Sequence, residues 1–181
     1  MPVAVATYDR LEDAARAAAE RGSRFFGGGT ILMRAVNHAA PGLERLVRTA
    51  DPALGEIRAE GGRVVLGAGV TMAAIAAHRE LDFLAPVARV VGGPAVRTMA
   101  TVGGNLFAEH PYGDLAAALL ALGVEVRLAD GETLDVQDFL ERRDREPRPV
   151  VAAVALSRPP CGAFRFRKVS RVHPKGVSVM S

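Results

Sequence analysis

Glycine is concentrated twice in this chain, as Gly27-Gly28-Gly29 within FGGGTILM and, about 75 residues later, as Gly103-Gly104 within ATVGGNLFAEHPYGDLAAALLALG. Neighbouring residues without β-carbons let the backbone approach a ligand closely or pass through φ > 0. The second cluster is flanked by Thr101 and Asn105, both able to hydrogen-bond. Asp114 then precedes Leu115, Ala118, Leu119 and Leu122 at helical spacing, with Gly123 after them, so Asp114 reads as the N-cap of a helix that Gly123 stops. The first cluster follows a short apolar run, Arg24-Phe25-Phe26, and leads into Ile31-Leu32-Met33, the start of another helix. Strand, glycine turn and helix N-terminus together aim free N–H groups at one point, an arrangement that holds an anion such as a pyrophosphate. A connecting loop is the alternative, but three consecutive glycines lose conformational entropy that a mere connection has no reason to lose.

With 181 residues, 49% of them hydrophobic, the chain is long enough for one domain or for two small lobes that share a core. No stretch approaches the roughly 18 uninterrupted apolar residues of a membrane span. The start, MPVAVATYDR, lacks the charged-then-apolar pattern of a secretory signal, and a cytoplasmic protein is expected. A single cysteine, Cys161, excludes an intrachain disulfide and any iron–sulfur cluster or cysteine-rich zinc site held by this chain alone. The last 35 residues carry seven basic residues and no acid, against 16 basic and 20 acidic before them. In that tail the basic residues interleave with Phe164, Phe166, Val169 and Val172, a pattern that argues for a half-buried strand and against a nucleic-acid-binding arm.

Read in order, Val3-Ala4-Val5-Ala6 is too short to assign, and Asp9 caps an Ala-rich helix from Leu11 to about Arg21, ended by Gly22. Leu43–Val47 reads as a short strand, and Asp51-Pro52 as a turn closing a first lobe. Residues 55–60 and 63–67 form a hairpin around Gly61-Gly62. Gly67-Ala68-Gly69-Val70-Thr71-Met72 begins like a dinucleotide fingerprint but has Met72 in place of the third glycine, so Thr71 is better read as the cap of a helix from Met72 to Arg79. The strands around it come in hairpins rather than βαβ units. Leu81 to Val91 is helical, Gly92-Gly93-Pro94 bends the chain, and Asp130-Gly131 turns a second hairpin between 124–128 and 133–136. Glu141 to Arg148 is a polar surface loop. Two strands follow, Val150–Leu156 and Ala163–Val169, and then a last apolar run, Val177-Ser178-Val179-Met180.

The glycine motifs FGGGTILM and ATVGGNL…PYGD, with RKVSR near the end, resemble the FAD-binding medium subunit of the xanthine dehydrogenase and carbon monoxide dehydrogenase (molybdenum hydroxylase) family over nearly the whole chain. The resemblance implies an α+β fold, a two-lobed FAD-binding domain of the vanillyl-alcohol oxidase and p-cresol methylhydroxylase type, with lobes at 1–54 and 55–175. Residues 176–181 would start a C-terminal domain missing here. It also implies non-covalent FAD held by Phe26, Gly27, Gly28, Gly29, Thr30, Ile31 and Leu32 at the pyrophosphate. A second grip would come from Thr101, Gly103, Gly104 and Asn105, with Val91 and Val151 in the binding set. Asp114 would contact the ribityl or phosphate side, and Lys168, one of only two lysines against 21 arginines, would approach the isoalloxazine. Ile31 stands where the family usually has a polar residue, and His110 where a small one is commoner; neither histidine chemistry nor a catalytic residue is assigned.

In that family a large subunit carries the molybdenum cofactor and a small subunit carries [2Fe–2S] clusters. The resemblance therefore implies an electron-transfer flavin subunit, with no nucleic acid and no membrane span, that passes electrons on to NAD, oxygen or a quinone. A stand-alone flavin oxidase or dehydrogenase and a non-catalytic module that has lost FAD are the alternatives. The alternating run at 177–180 needs strand partners that the chain does not provide. The natural polypeptide is thus expected to continue for about another hundred residues, and this form to associate through its C-terminal edge.

Overall fold

The computed structural model describes residues 3–109, 112–170 and 178–180. His110 and the segment 171–177, which takes in His173 and Val177, lie outside the described residues. The first lobe is a parallel three-stranded sheet. Strand β1 (Ala4–Tyr8) leads through helix α1 (Leu11–Ala18) to β2 (Ser23–Phe25), and α2 (Leu32–Asn37) leads to β3 (Arg45–Thr49), which inserts between the other two in the order β1-β3-β2. Helix α1 buries Leu11, Ala14, Ala17 and Ala18, one stripe at helical spacing, over Val47 of the central strand. The short opening run is therefore a strand. Asp9 is not the cap of α1: Arg10 holds that position without a side-chain bond, and the Leu11 N–H donates to Asp51 Oδ2 at 3.3 Å. A carboxylate from beyond β3 does the work a local one was expected to do, which ties the helix to the end of the lobe.

The second lobe is antiparallel throughout. Its sheet runs β4 (Ile57–Glu60), β5 (Arg63–Gly67), β8 (Val151–Leu156), β6 (Glu125–Leu128) and β7 (Thr133–Asp135), so both expected hairpins are present and β8 joins them. Five helices cover one face, α3 (Met72–Ala77), α4 (Ala85–Val90), α6 (Val102–Leu106), α7 (Asp114–Ala121) and α8 (Val136–Arg142), while the single turn α5 (Pro94–Arg97) buries none of its residues. Leu66, Val126 and Val154 of the sheet meet Met72, Ile75, Val87, Leu119 and Phe139 of the helices in the main core. Thr71 caps α3 by accepting the Ala74 N–H at 3.1 Å, as its position suggested. The helix expected over 81–91 is shorter, with a 3-10 turn at Arg79–Leu81 and Pro86 at the start of α4, and α8 spans the residues between the expected second hairpin and the expected loop, overlapping the edge of each. In α8, Asp135 accepts the Gln137 N–H, and Val136 and Phe139 are buried three residues apart.

At the C-terminal end, no strand forms over 163–168; Phe164 and Phe166 instead pack singly on the main core, and β9 is only Val169–Ser170. The final run does have a partner in the chain, because β10 (Ser178–Met180) pairs antiparallel with β9. One strand partner for the final run is thus found within the chain, where the expectation had all of them in absent residues. Among the described residues no helix is long and apolar enough to cross a membrane, and no three His, Cys, Asp or Glu side chains form a metal-holding group.

The lobes are joined by a close backbone approach. A 3-10 turn at Pro52–Gly55 lies against β5: the Gly69 N–H donates to the Leu54 carbonyl at 2.8 Å, and a β-carbon on Gly67 would overlap the carbonyls of Ala53 and Leu54. The glycines that imitate a dinucleotide fingerprint thus make room for the interlobe connection. The outer face of the second sheet carries small apolar side chains, Val65, Ala153 and Ala155. Over them lies an ionic lattice in which Glu125 meets Arg63 at 2.9 Å and Arg127 at 3.0 Å, while Arg127 meets Glu60 at 2.8 Å.

This lattice makes stability depend on acid. Hydrogen bonding by Arg127 holds the Glu60 carboxyl below its ordinary value of 4.5, and hydrogen bonding by Arg63, then Arg127, does the same for Glu125. Folded-state values below the unfolded ones mean the contribution is present above pH 4.5 and drains away as pH falls through the folded values. The melting temperature should therefore fall between pH 5 and pH 3, about these ordinary carboxylate values, and Arg127→Met should flatten that fall. Parallel pH profiles for the two proteins would refute the assignment.

Candidate functional site

Between the lobes lies a cleft of about 390 Å³. It opens at the carboxyl ends of the first lobe's parallel strands, where ligands of α/β sheets commonly sit. One wall is Phe25 to Leu32 with Arg48 and Thr49; the opposite wall is Thr101, Gly103, Gly104, Phe107 and Glu109; Ala68, Gly69, Val150 and Val151 form the floor. The structure thus brings together Phe26, Gly27, Gly28, Gly29, Thr30, Ile31, Leu32, Thr101, Gly103, Gly104 and Val151.

The first glycine cluster leaves its donors open. Phe26 is anchored by its N–H to the Val47 carbonyl at 2.6 Å, and Met33 donates to Gly29 O at 2.9 Å. Between them, no acceptor among the described residues takes the N–H groups of Gly27, Gly28, Gly29, Thr30, Ile31 or Leu32. Six consecutive unpaired donors at a cleft are stable only against water or an anion. Gly28 makes this path possible: a β-carbon there would run into the Met99 carbonyl of the other lobe. Gly29 turns through φ 73° beside the Phe26 ring.

The second cluster is built differently. Gly103 and Gly104 lie in the first turn of α6 and not in a turn with positive φ, because Thr101 caps that helix by accepting the Gly104 N–H at 3.2 Å. The Val102 N–H goes to Val70 O at 2.9 Å and the Gly103 N–H to Ala68 O at 2.8 Å. All three leading donors are spent inside the lobe, so this segment supplies shape: Gly103 admits Ala68, and Gly104 opens onto the cleft beside the Thr101 hydroxyl.

Four expected site residues do not line the cleft. Val91 packs, partly buried, on the second lobe's core. Asn105 is buried and donates its side-chain amide to Thr101 O at 2.9 Å, supporting the cap. Asp114 is the first residue of α7 and not its N-cap, which is Gly113. Its Oδ2 is held by Lys168 Nζ at 2.7 Å, with the two side chains 4% and 15% exposed, and its Oδ1 is buried without a partner among the described residues. The lysine's charge is therefore committed to a carboxylate rather than lying free at the cleft wall. Sequence reasoning missed Arg24, Arg48, Arg148, Phe107 and Glu109, all of which line the cleft. The first two stand on parallel strands whose carboxyl ends form its wall, a signal available only once those strands are known to be parallel.

A family model described as "FAD binding domain in molybdopterin dehydrogenase" matches residues 3–158. The carbon monoxide dehydrogenase medium chain of Afipia carboxidovorans is 30% identical over 129 residues, which is 64% of this chain and 44% of that one. Among solved structures, a carbon monoxide dehydrogenase from Hydrogenophaga pseudoflava matches with a TM-score of 0.86 and quinoline 2-oxidoreductase from Pseudomonas putida 86 with 0.82. Each is 20% identical, covering 98% of this chain and 66% of the other. The chain therefore spans less than half of the curated relative and about two thirds of the solved ones.

The two glycine clusters should respond differently to a methyl group. Gly28→Ala meets a backbone carbonyl and should cost about 2–3 kcal/mol, a drop of roughly 4–12 °C in melting temperature, whereas Gly104→Ala should leave the fold intact. Equal losses in thermal unfolding would refute the distinction. Lys168→Met, which strands a buried carboxylate, should cost about 3–5 kcal/mol in denaturant unfolding, with part recovered when Asp114→Asn is added.

Proposed function

The chain belongs to the family of FAD-binding domains of molybdopterin dehydrogenases, and from that membership we propose that it binds FAD non-covalently in the interlobe cleft as the electron-transfer flavin component of a molybdenum hydroxylase. The observation that carries this reading is the run of six unpaired N–H groups in Gly27 to Leu32, all residues that line the cleft. The residues present fit the cofactor: open donors and a glycine path suit a diphosphate, and the apolar walls at Phe26, Phe107 and Val151 suit an aromatic ring system. When bound, FAD supplies redox chemistry that accepts and delivers one or two electrons.

What the chain does is hold and shield. Gly27–Leu32 would grip the pyrophosphate from one lobe, and Thr101, Gly103 and Gly104 would shape the facing wall from the other. Asp114 and Lys168, tied to each other off the cleft wall, would act at the flavin's side of the site by keeping α7 and the segment before β9 in place. We place the [2Fe–2S] clusters on a small partner subunit and the molybdenum cofactor on a large one, since Cys161 is exposed and alone. Electrons would leave for NAD, oxygen or a quinone, and the cytoplasm is the proposed compartment.

Protein purified after expression should carry the near-ultraviolet and blue absorbance of flavin, released as FAD on denaturation. Gly28→Val should lose it, with circular dichroism reporting whether the second lobe remains folded. A colourless wild-type protein that also fails to take up added FAD would sink the proposal and leave a module without cofactor.

A further inference from the structure

We infer that Arg48 is the side chain that neutralises the diphosphate of the dinucleotide, an inference that rests on FAD being the occupant of the cleft. Three guanidinium groups line that cleft: Arg24 on β2, Arg48 on β3 and Arg148 on the loop after α8. Two are already engaged. Arg24 reaches Glu146 at 2.6 Å, and Arg148 lies 3.8 Å from the same carboxylate oxygen and 3.4 Å from Asp144. Arg48 has no ion pair and no side-chain hydrogen bond among the described residues.

Its place on the chain is what makes this informative. Val47, the preceding residue, gives its carbonyl to the Phe26 N–H, so Arg48 stands beside the point where the run of unpaired donors begins. Backbone N–H groups can coordinate phosphate oxygens, but they are neutral and leave the ligand's charge uncompensated. A guanidinium supplies the charge together with a fork of donors that matches a phosphate. An exposed cation beside two others is also held in an unfavourable field. Glu109 is the one carboxylate among the lining residues; Glu146 and Asp144, which do not line the cleft, are already paired with Arg24 and Arg148. A diphosphate placed against the loop gives a counter-charge to the one arginine of the three whose donors are open. Arg24 is instead tied through Glu146 to the loop of the other lobe, beside Arg148.

The test uses the whole chain with Arg48→Gln and Arg48→Lys, titrated calorimetrically with FAD and separately with inorganic pyrophosphate, and with melting temperatures recorded for each. Because Arg48 is exposed, both variants should melt as wild type does. Arg48→Gln should weaken FAD and pyrophosphate alike by about tenfold, and Arg48→Lys, which keeps the charge, should recover part of the loss. Unchanged affinity of Arg48→Gln for both would overturn the inference while leaving FAD binding standing. A loss for FAD with none for pyrophosphate would also overturn it, by assigning Arg48 to another part of the ligand. A wild-type chain that takes pyrophosphate but not FAD would sink the FAD reading, and the pyrophosphate comparison would then judge Arg48 by itself. Binding of neither by the wild type would remove both.

Discussion

Backbone meets backbone where Gly28 passes the carbonyl of Met99, and the cleft depends on that contact. With any side chain at this point the loop after β2 would be pushed off the second lobe, and its N–H groups would no longer line a shared wall. The contact also explains how so many polar groups can stay unpaired. The loop is held by its ends, through Phe26 on Val47 and Met33 on Gly29, and by steric fit in its middle. None of these restraints consumes the donors between. A scaffold built this way holds its hydrogen-bonding capacity in reserve for something that comes from outside.

The two glycine clusters look alike in sequence and are opposite in physics. At 27–29 the missing β-carbons keep donors open. At 103–104 they allow a helix to begin tight against Ala68, and the donors there close on Val70, Ala68 and Thr101. Thr101 links them, since its hydroxyl caps α6 and lies where a β-carbon on either Gly27 or Gly104 would point. Glycine pattern reports that backbone is approached closely; it does not report by what. At Gly67 and Gly69 the approaching group is the chain's own linker.

What could be read beforehand was what local chemistry decides. Both hairpins, the Thr71 cap, the stop at Gly123 and the glycine-lined wall followed from turn residues and spacing, which act within a few positions. What could not be read depended on distant partners. Asp9 yielded its capping role to Asp51, forty residues from the helix it serves. Asp114 looked like a cap because an acid before a helical stripe usually is one, yet its carboxylate was claimed by Lys168. The parallel character of the first sheet was hidden because β1 and β2 are short and never touch; only β3 relates them. Arg48 was invisible for the same reason, since a strand's carboxyl end has meaning only once its neighbours' directions are known. The family resemblance supplied what spacing lacked, and of the residues it implied, the glycine loops line the cleft while Val91, Asn105, Asp114 and Lys168 do not.

In both sheets the strand that completes the arrangement is the last of its set to leave the ribosome. β3 separates β1 from β2, and β8 separates the β4–β5 hairpin from the β6–β7 hairpin. A nascent chain that has emerged as far as residue 150 therefore holds two isolated hairpins and all of the helices meant to cover them, with the central seat of the sheet vacant. Two-stranded ribbons are barely stable alone, so the second lobe has little to gain from folding piecemeal and nearly everything to gain at one moment. Order of synthesis and order of assembly are thus forced apart: residues made first wait for residues made more than eighty positions later, and the exposed edges of β5 and β6 are left open to wrong pairings until β8 arrives.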